Sequence, residues 1–193
     1  IIATDPVHVD QWATHVTTPE VTDASATVHV ETAVVNSGSA SASISVQGIV
    51  RDAGGKALAP VTTPAQTIAA GASGKFSFDV KVSSPKLWSP SSPNLYQLVT
   101  KVLVDDTTVD DDVTTFGIRS LEFDPATGMS INGKSTKFKG VCLHQDYHGL
   151  GLAAPQRAMQ RRLAQLKTYG VNAVRTAHEP PSPEFLDICV RMV

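Results

Sequence analysis

Apolar and polar residues alternate along the chain as far as Phe116, in a way that predicts β-strands. Four stretches keep a period of two residues, which places one face of each strand against a core and the other toward water. These stretches are residues 27–35, 41–50, 75–82 and 95–104. Shorter segments at 7–10 and 111–116 are predicted to be the first and last strands. No stretch here has a helical period, so we predict an all-β domain.

Turn-forming residues separate these predicted strands. They occur at residues 36–39 (NSGS), 52–56 (DAGGK) and 70–74 (AGASG). Glycine supplies the positive φ that a tight hairpin loop needs. About seven short antiparallel strands in about 110 residues are typical of an immunoglobulin-like β-sandwich.

The pattern changes after residue 119. Short strands are predicted at 121–123, 129–131 and 136–138, with Asn132-Gly133 as a two-residue hairpin turn. Such a hairpin commonly caps the bottom of a barrel before its first strand.

A strand–helix–strand unit follows this hairpin. A strand at 138–143 precedes a helix that starts near Pro155 and ends at Gly170. A second, fully buried strand is predicted at 171–174, and a second helix starts with Ser182 as its N-cap. The apolar stripe of the first helix consists of Met159, Leu163, Leu166 and Tyr169. Parallel strands joined by a crossover helix predict the first units of a (β/α)8 (TIM) barrel.

Composition narrows the class of protein. The 193 residues carry a formal net charge of -2, which argues against nucleic acid or an anionic membrane as a partner. No apolar run approaches the ~20 residues that span a bilayer. The sequence starts at Ile1 without a recognisable signal peptide, and two βα units cannot cover their own sheet edges. We therefore expect a piece of a larger enzyme.

Cys142 and Cys189 are expected to be small buried residues without a redox role.

Polar and ionisable residues cluster directly after the two predicted barrel strands. They are His144, Asp146, Tyr147 and His148 after the first strand, and Arg175, His178 and Glu179 after the second. The carboxyl ends of barrel strands are where ligands bind, so this convergence favours a functional site over isolated loop residues.

Three kinds of chemistry fit this cluster. His144, Asp146 and His148 could ligate a metal if the segment were extended. Asp146 and Glu179 are the two carboxylates near the strand ends and could act as an acid/base pair. Alternatively, Arg175 and His178 form pocket walls that bind hydroxyl groups or orient a carboxylate from a later strand.

Two further features have a structural and a functional interpretation. Trp88 lies in a proline-rich segment and is expected to cover the end of the sandwich, with sugar stacking as the alternative. The aspartates at 105–106 and 110–112 are expected to form a solvated hairpin end, with calcium binding as the alternative.

Long, ordered motifs resemble glycoside hydrolase family 2. INGKSTKFKGVCLHQD and RRLAQLKTYGVNAVRTAHEPPSPEFLDIC are similar to the start of that family's barrel, and PKLWSPSSPNLY and FGIR to its immunoglobulin-like domain. The His-Gln-Asp and Pro-Pro-Ser-Pro-Glu-Phe-Leu-Asp motifs look most like the bacterial β-galactosidase branch. The β-glucuronidase and β-mannosidase branches are the alternatives.

The resemblance implies a retaining exo-glycosidase that acts on a β-linked oligosaccharide or glycoside. We expect no cofactor and no metal. The resemblance places the nucleophile and acid/base glutamates on later barrel strands, beyond Val193, so the chain by itself is expected to show no turnover. Arg175 would orient the nucleophile, and His178 would line the sugar subsite with His144, Asp146 and Glu179. The departures from the family pattern are Ala177 for Ser, Glu179 for Tyr or Asn, Val190 for Asp and Val193 for Gly.

The predicted organisation is a multi-domain chain, β followed by α/β. An immunoglobulin-like β-sandwich covers residues 1–118, and the first βα units of a truncated TIM barrel cover residues 119–193. The rival hypothesis is a non-catalytic carbohydrate-binding or spacer module. Self-association into a homo-oligomer through uncovered helix faces is a further hypothesis, which light scattering would test.

Overall fold

The structure is a computed structural model and describes residues 2–192. These residues divide into two compact units. The first contains residues up to 86 together with 95–120, and the second contains 87–94 together with residues from 121 onward.

The first unit is a β-sandwich of two antiparallel sheets. One sheet contains β1 (Val7–Val9), β2 (His15–Val21), β3 (Ser25–Asn36) and β7 (Ala72–Ser83). The other contains β4 (Ala42–Arg51), β5 (Val61–Thr62), β6 (Gln66–Ile68), β8 (Tyr96–Val104) and β9 (Thr107–Phe116). In the first sheet β3 pairs with β1 and β2 and with β7, and in the second β4 pairs with β5 and β6 and with β8.

The long alternating segments form the strands that the sequence predicts. Their inward residues make the core, and several are fully buried: Val28, Val30, Val34, Ile44, Val46, Val50, Leu98 and Val102. The number of strands differs from the prediction of about seven, because the described residues of this unit form nine. The additional ones include β5 and β6, whose two and three residues are too few to show a period.

The aspartate-rich segment forms a hairpin, as predicted. Val104 pairs with Thr107, so Asp105 and Asp106 are the two loop residues, with φ of 47° and 65°. Positive φ at both positions defines a type I′ turn, which matches the twist of the flanking strands. The strand β9 therefore starts at Thr107 and is longer than the predicted 111–116.

The second unit starts with a three-stranded antiparallel sheet of β10 (Leu121–Asp124), β11 (Gly128–Ile131) and β12 (Lys134–Ser135). The Asn132-Gly133 hairpin is confirmed, with φ of 52° and 70° and Ile131 paired to Lys134. The strand predicted at 136–138 is wrong, because β12 ends at Ser135.

Two βα units follow, made of β13 (Gly140–Leu143), α1 (Gln156–Thr168), β14 (Ala173–Thr176) and α2 (Pro183–Met192). The two strands are parallel neighbours, as predicted. Leu163, Phe185 and Ile188 form the buried centre between the helices and the sheet, and Leu143 and Val174 pack against it. None of the helices in residues 2–192 is long and apolar enough to cross a lipid bilayer.

Several boundaries of these elements differ from the predictions. Pro155 is the N-cap of α1 and precedes the first turn. Tyr169 is not part of the apolar stripe, since it is the C-cap and is 86% exposed.

The strand β14 starts two residues later than predicted and includes Arg175. Gly170, with φ of 81°, ends α1 as predicted, and the Ser182 hydroxyl accepts from the Phe185 amide at 3.3 Å as the N-cap of α2.

Trp88 lies in residues 87–94, which belong to the second unit and not to the sandwich unit. Its indole N–H donates to the carbonyl oxygen of Val190 near the end of α2 at 2.8 Å. The Asn132 side chain donates to the Trp88 carbonyl oxygen at 3.0 Å. The Trp88 side chain is 9% exposed, so its ring offers little surface for a sugar to stack on. Val190 and Val193 are two of the positions at which the sequence departs from the family pattern. Val193 lies outside the described residues.

The two cysteines differ in environment. Cys142 is exposed, in contrast to its predicted burial, whereas Cys189 is partly buried in the helix-side core. Burial raises the pKa of the Cys189 thiol to about 11, which keeps it protonated near neutral pH.

Candidate functional site

The register of the parallel pair places Arg175 beside Cys142. Cys142 faces Arg175 across the pair, and Leu143 faces Thr176. Since Leu143 and Val174 pack on the helix side, alternation directs Cys142 and Arg175 to the opposite face of the sheet. Both are exposed there, and Arg175 Nη1 lies 3.8 Å from Cys142 Sγ.

The residues that follow the two strands bring a pair of histidines together. The Ala177 amide donates to the Leu143 carbonyl oxygen at 3.0 Å, which extends the pairing beyond β14. His144 and His178 come next, and their ring centroids are 5.7 Å apart in an edge-to-face arrangement. Both rings are exposed, so they can exchange hydrogen bonds with a ligand.

The first of the two loops closes on itself at Tyr147. The Tyr147 amide donates to the Gly151 carbonyl oxygen at 3.0 Å, and the Gly151 amide donates to the Tyr147 carbonyl oxygen at 2.9 Å. Gly149 and Gly151 have φ of 78° and 59°, which glycine adopts without strain. Asp146 precedes this turn, and its side chain is exposed.

A side-chain hydrogen bond joins the first loop to the second. Gln145 Nε2 donates to the Pro180 carbonyl oxygen at 2.5 Å. Pro180 follows Glu179, which is exposed at the end of the second loop. The structure thus gathers His144, Arg175 and His178 at adjacent strand ends and places Asp146 and Glu179 on the two connected loops.

Sequence reasoning did not identify two residues that support this site. Gln145 stands inside the His-Gln-Asp motif, and its spacing carries no sign of a contact with residue 180. Arg162 lies on α1 and contacts the first loop. In the sequence pattern it is an ordinary polar position of a helix. Such partners emerge only when the loop is folded against the helix.

A small cavity lies on the helix side of the same region. Its volume is about 70 Å³, which is room for a few water molecules. Leu143, Met159, Arg162 and Phe185 contribute to its wall, and among the five predicted site residues only His144 does.

The metal-binding hypothesis finds no support in the part of the chain that is described. Residues 2–192 contain no group of three or more His, Cys, Asp or Glu side chains placed to hold a metal ion. His144, Asp146 and His148 are thus not assembled as ligands, and neither are the aspartates of the β8–β9 hairpin.

Both parts of the chain match family models of glycosidases. Residues 7–119 match the model of glycosyl hydrolases family 2, and residues 126–192 match that of the family 2 TIM barrel domain. The β-galactosidase BoGH2A of Bacteroides ovatus is 38% identical over 189 residues, which are 98% of this chain and 22% of that protein. A β-galactosidase of Thermoanaerobacter pseudethanolicus is 36% identical over 57% of this chain and 15% of its own length.

Solved structures agree with these matches. A family 2 member from Bacteroides cellulosilyticus superposes with a TM-score of 0.91 at 35% identity, covering 98% of this chain and 26% of that one. A β-glucuronidase from Bacteroides uniformis superposes with a TM-score of 0.88 at 25% identity, covering 98% and 23%. The chain spans about a quarter or less of the length of these relatives. The matches cover the sandwich and the two βα units alike, and the chain belongs to glycoside hydrolase family 2.

Proposed function

We propose that this chain forms part of a retaining β-galactosidase, with the boundary between its two domains at residue 118. The loops after β13 and β14 form one wall of the sugar subsite. The observation that carries this proposal is the placement of exposed Arg175 and of the adjacent His144 and His178 rings at the ends of two parallel neighbouring strands. The match to a β-galactosidase along 98% of the chain supports the choice of sugar.

Arg175 orients the catalytic nucleophile. Its guanidinium is always charged and offers a planar set of donors that fits a carboxylate. A cation beside the nucleophile lowers the pKa of that carboxylic acid and keeps it ionised, as attack on the sugar requires. The nucleophile and the acid/base glutamate come from later barrel strands, beyond Val193.

The remaining four residues bind sugar hydroxyl groups. His144 and His178 can donate or accept hydrogen bonds, while Asp146 and Glu179 can accept them. These contacts position the substrate and exclude competing sugars.

A β-glucuronidase is the second candidate, and the match to the Bacteroides uniformis enzyme supports it. The substrate of such an enzyme carries a carboxylate. Glu179 at the end of the second loop would repel this charge, whereas a galactoside is neutral. The Glu179 carboxylate therefore favours the galactosidase.

Hydrolysis of aryl glycosides by the full-length gene product tests the proposal. We expect release of p-nitrophenol from the β-galactoside in preference to the β-glucuronide and the β-mannoside. Arg175→Ala should lower kcat at least about 100-fold, because the loss of a charged partner of the nucleophile affects the transition state.

Arg161→Ala is the matched control, since Arg161 is an exposed arginine of α1 outside the candidate site. Its kinetics should equal those of the wild type. Full activity of the Arg175→Ala variant would refute the assigned role of Arg175, and a wild type that hydrolyses none of the three glycosides would refute the proposed function.

A further inference from the structure

A single arginine of α1 holds the loop that follows β13. Arg162 Nη2 donates to the carbonyl oxygen of Asp146 at 3.0 Å, and Nη1 donates to that of His144 at 3.5 Å. The guanidinium carbon lies 3.6 Å from the centre of the Tyr147 ring. One planar side chain thus contacts three of the four residues from 144 to 147.

These contacts act on the loop backbone and leave the predicted sugar-binding side chains free. The carbonyl groups of His144 and Asp146 are fixed, and this determines the direction in which the attached side chains leave the backbone. The ring of Tyr147 adds a cation–π contact that restricts the orientation of the Arg162 guanidinium. A lysine could supply the charge, but it could not make both hydrogen bonds with the same fixed geometry.

Arg162 itself stands away from the exposed face of the sheet. It lines the small helix-side cavity together with Leu143, Met159 and Phe185. Leu143 packs against the core between sheet and helices, on the side opposite to Arg175. Arg162 is therefore placed to act on the exposed face through the loop.

We propose that Arg162 is a positioning residue of the sugar subsite, which sets the placement of His144 and Asp146 without touching the sugar. This inference rests on the proposed function, since it assumes that these two residues bind substrate. It adds a residue of α1 to the determinants of substrate affinity.

The test measures kcat and KM of the full-length gene product with p-nitrophenyl β-D-galactoside. Arg162→Ala should raise KM about 10-fold or more, because displacement of substrate-positioning groups by a small distance weakens binding. The effect on kcat should be smaller, since ground state and transition state lose the same contacts. Arg162→Lys should recover part of the affinity.

Folding and loop order are controlled in the same variants. Alanine is a strong helix former, so Arg162→Ala should retain the circular dichroism of the wild type. Hydrogen exchange of the Leu150 and Gly151 amides, which donate to the Tyr147 carbonyl oxygen, should become faster in Arg162→Ala and stay unchanged in Arg161→Ala.

The outcomes separate the two proposals. An active wild type with an unchanged KM in Arg162→Ala overturns the positioning role and leaves the proposed function intact. Equal KM increases in Arg162→Ala and Arg161→Ala overturn it as well, because a general effect on the helix would then suffice. A wild type without glycosidase activity overturns the proposed function, and the positioning role with it.

Discussion

At the scale of single residues, Thr100 is a polar group enclosed in the sandwich core. Its side chain is fully buried, and within residues 2–192 its hydroxyl has no hydrogen-bond partner. Burial of an unsatisfied hydroxyl costs free energy, because its bonds with water are lost and not replaced.

Thr100→Val should therefore stabilise the protein by about 1 kcal/mol, since valine has nearly the same shape and needs no partner. Urea unfolding of the chain, followed by circular dichroism, measures the change. Thr63→Val is the control, because the buried Thr63 hydroxyl accepts a hydrogen bond from the Val46 amide at 3.0 Å. That variant should be destabilised, and a loss of stability in Thr100→Val would contradict the argument.

His29 makes the stability of the sandwich depend on pH. Its Nδ1 lies 2.7 Å from Asp79 Oδ1 on the neighbouring strand, and this hydrogen bond raises the pKa of His29 above 6.5. The protonated form is therefore favoured in the folded state. The resulting stabilisation is complete below the unfolded pKa and is lost as the pH rises through the raised folded pKa.

His29→Gln should reduce the free energy of unfolding at pH 5.5 and have a smaller effect at pH 9. Urea titrations of both proteins at several pH values measure this difference. Asp79→Asn should weaken this pH dependence, because it removes the nearer of two carboxylates; the other is Glu31, whose Oε1 lies 3.8 Å from His29 Nε2. A difference between wild type and His29→Gln that stays constant from pH 5.5 to 9 would rule out the linkage.

At the scale of elements, the two sheets of the sandwich meet where a glycine faces an aromatic ring. A Cβ atom at Gly48 of β4 would lie 2.2 Å from two atoms of the Phe78 ring on β7. Phe78 is 8% exposed, so its ring is packed in the core and has little room to move. The missing side chain at Gly48 is what lets the ring fit.

Gly48→Ala should destabilise the chain by about 1–3 kcal/mol through overpacking. The double variant with Phe78→Leu should recover part of this loss, because the smaller side chain leaves space for the new methyl group. Urea unfolding of the two single variants and the double variant measures the coupling. Independent, additive effects would show that the ring and the glycine do not compete for space.

Elements with long-range periodicity were predictable from the sequence, whereas their ends and short partners were not. The strands β3, β4, β7 and β8 alternate over nine or more residues, and each was found. The sequence pattern predicts β14 two residues too early because Arg175 and Thr176 are polar. Polar residues are nevertheless expected on the open face of a barrel strand. Local pattern cannot tell a polar strand face from a loop.

At the scale of the whole chain, family motifs predicted the class of fold and which strand ends carry the candidate site. Contacts between residues far apart in sequence could not be predicted. The hydrogen bond from Trp88 to Val190 spans 102 positions, and the contacts of Arg162 with the first loop depend on how that loop folds. Neither contact leaves a periodic or compositional signal.

The location of a bound sugar tests the central claim most directly. Crystals of the full-length gene product soaked with galactose should show the sugar within hydrogen-bond distance of His178, with Arg175 and His144 beside it. Galactose bound only elsewhere, such as at the exposed Trp12 of the sandwich, would contradict the claim that the loops after β13 and β14 form the sugar subsite.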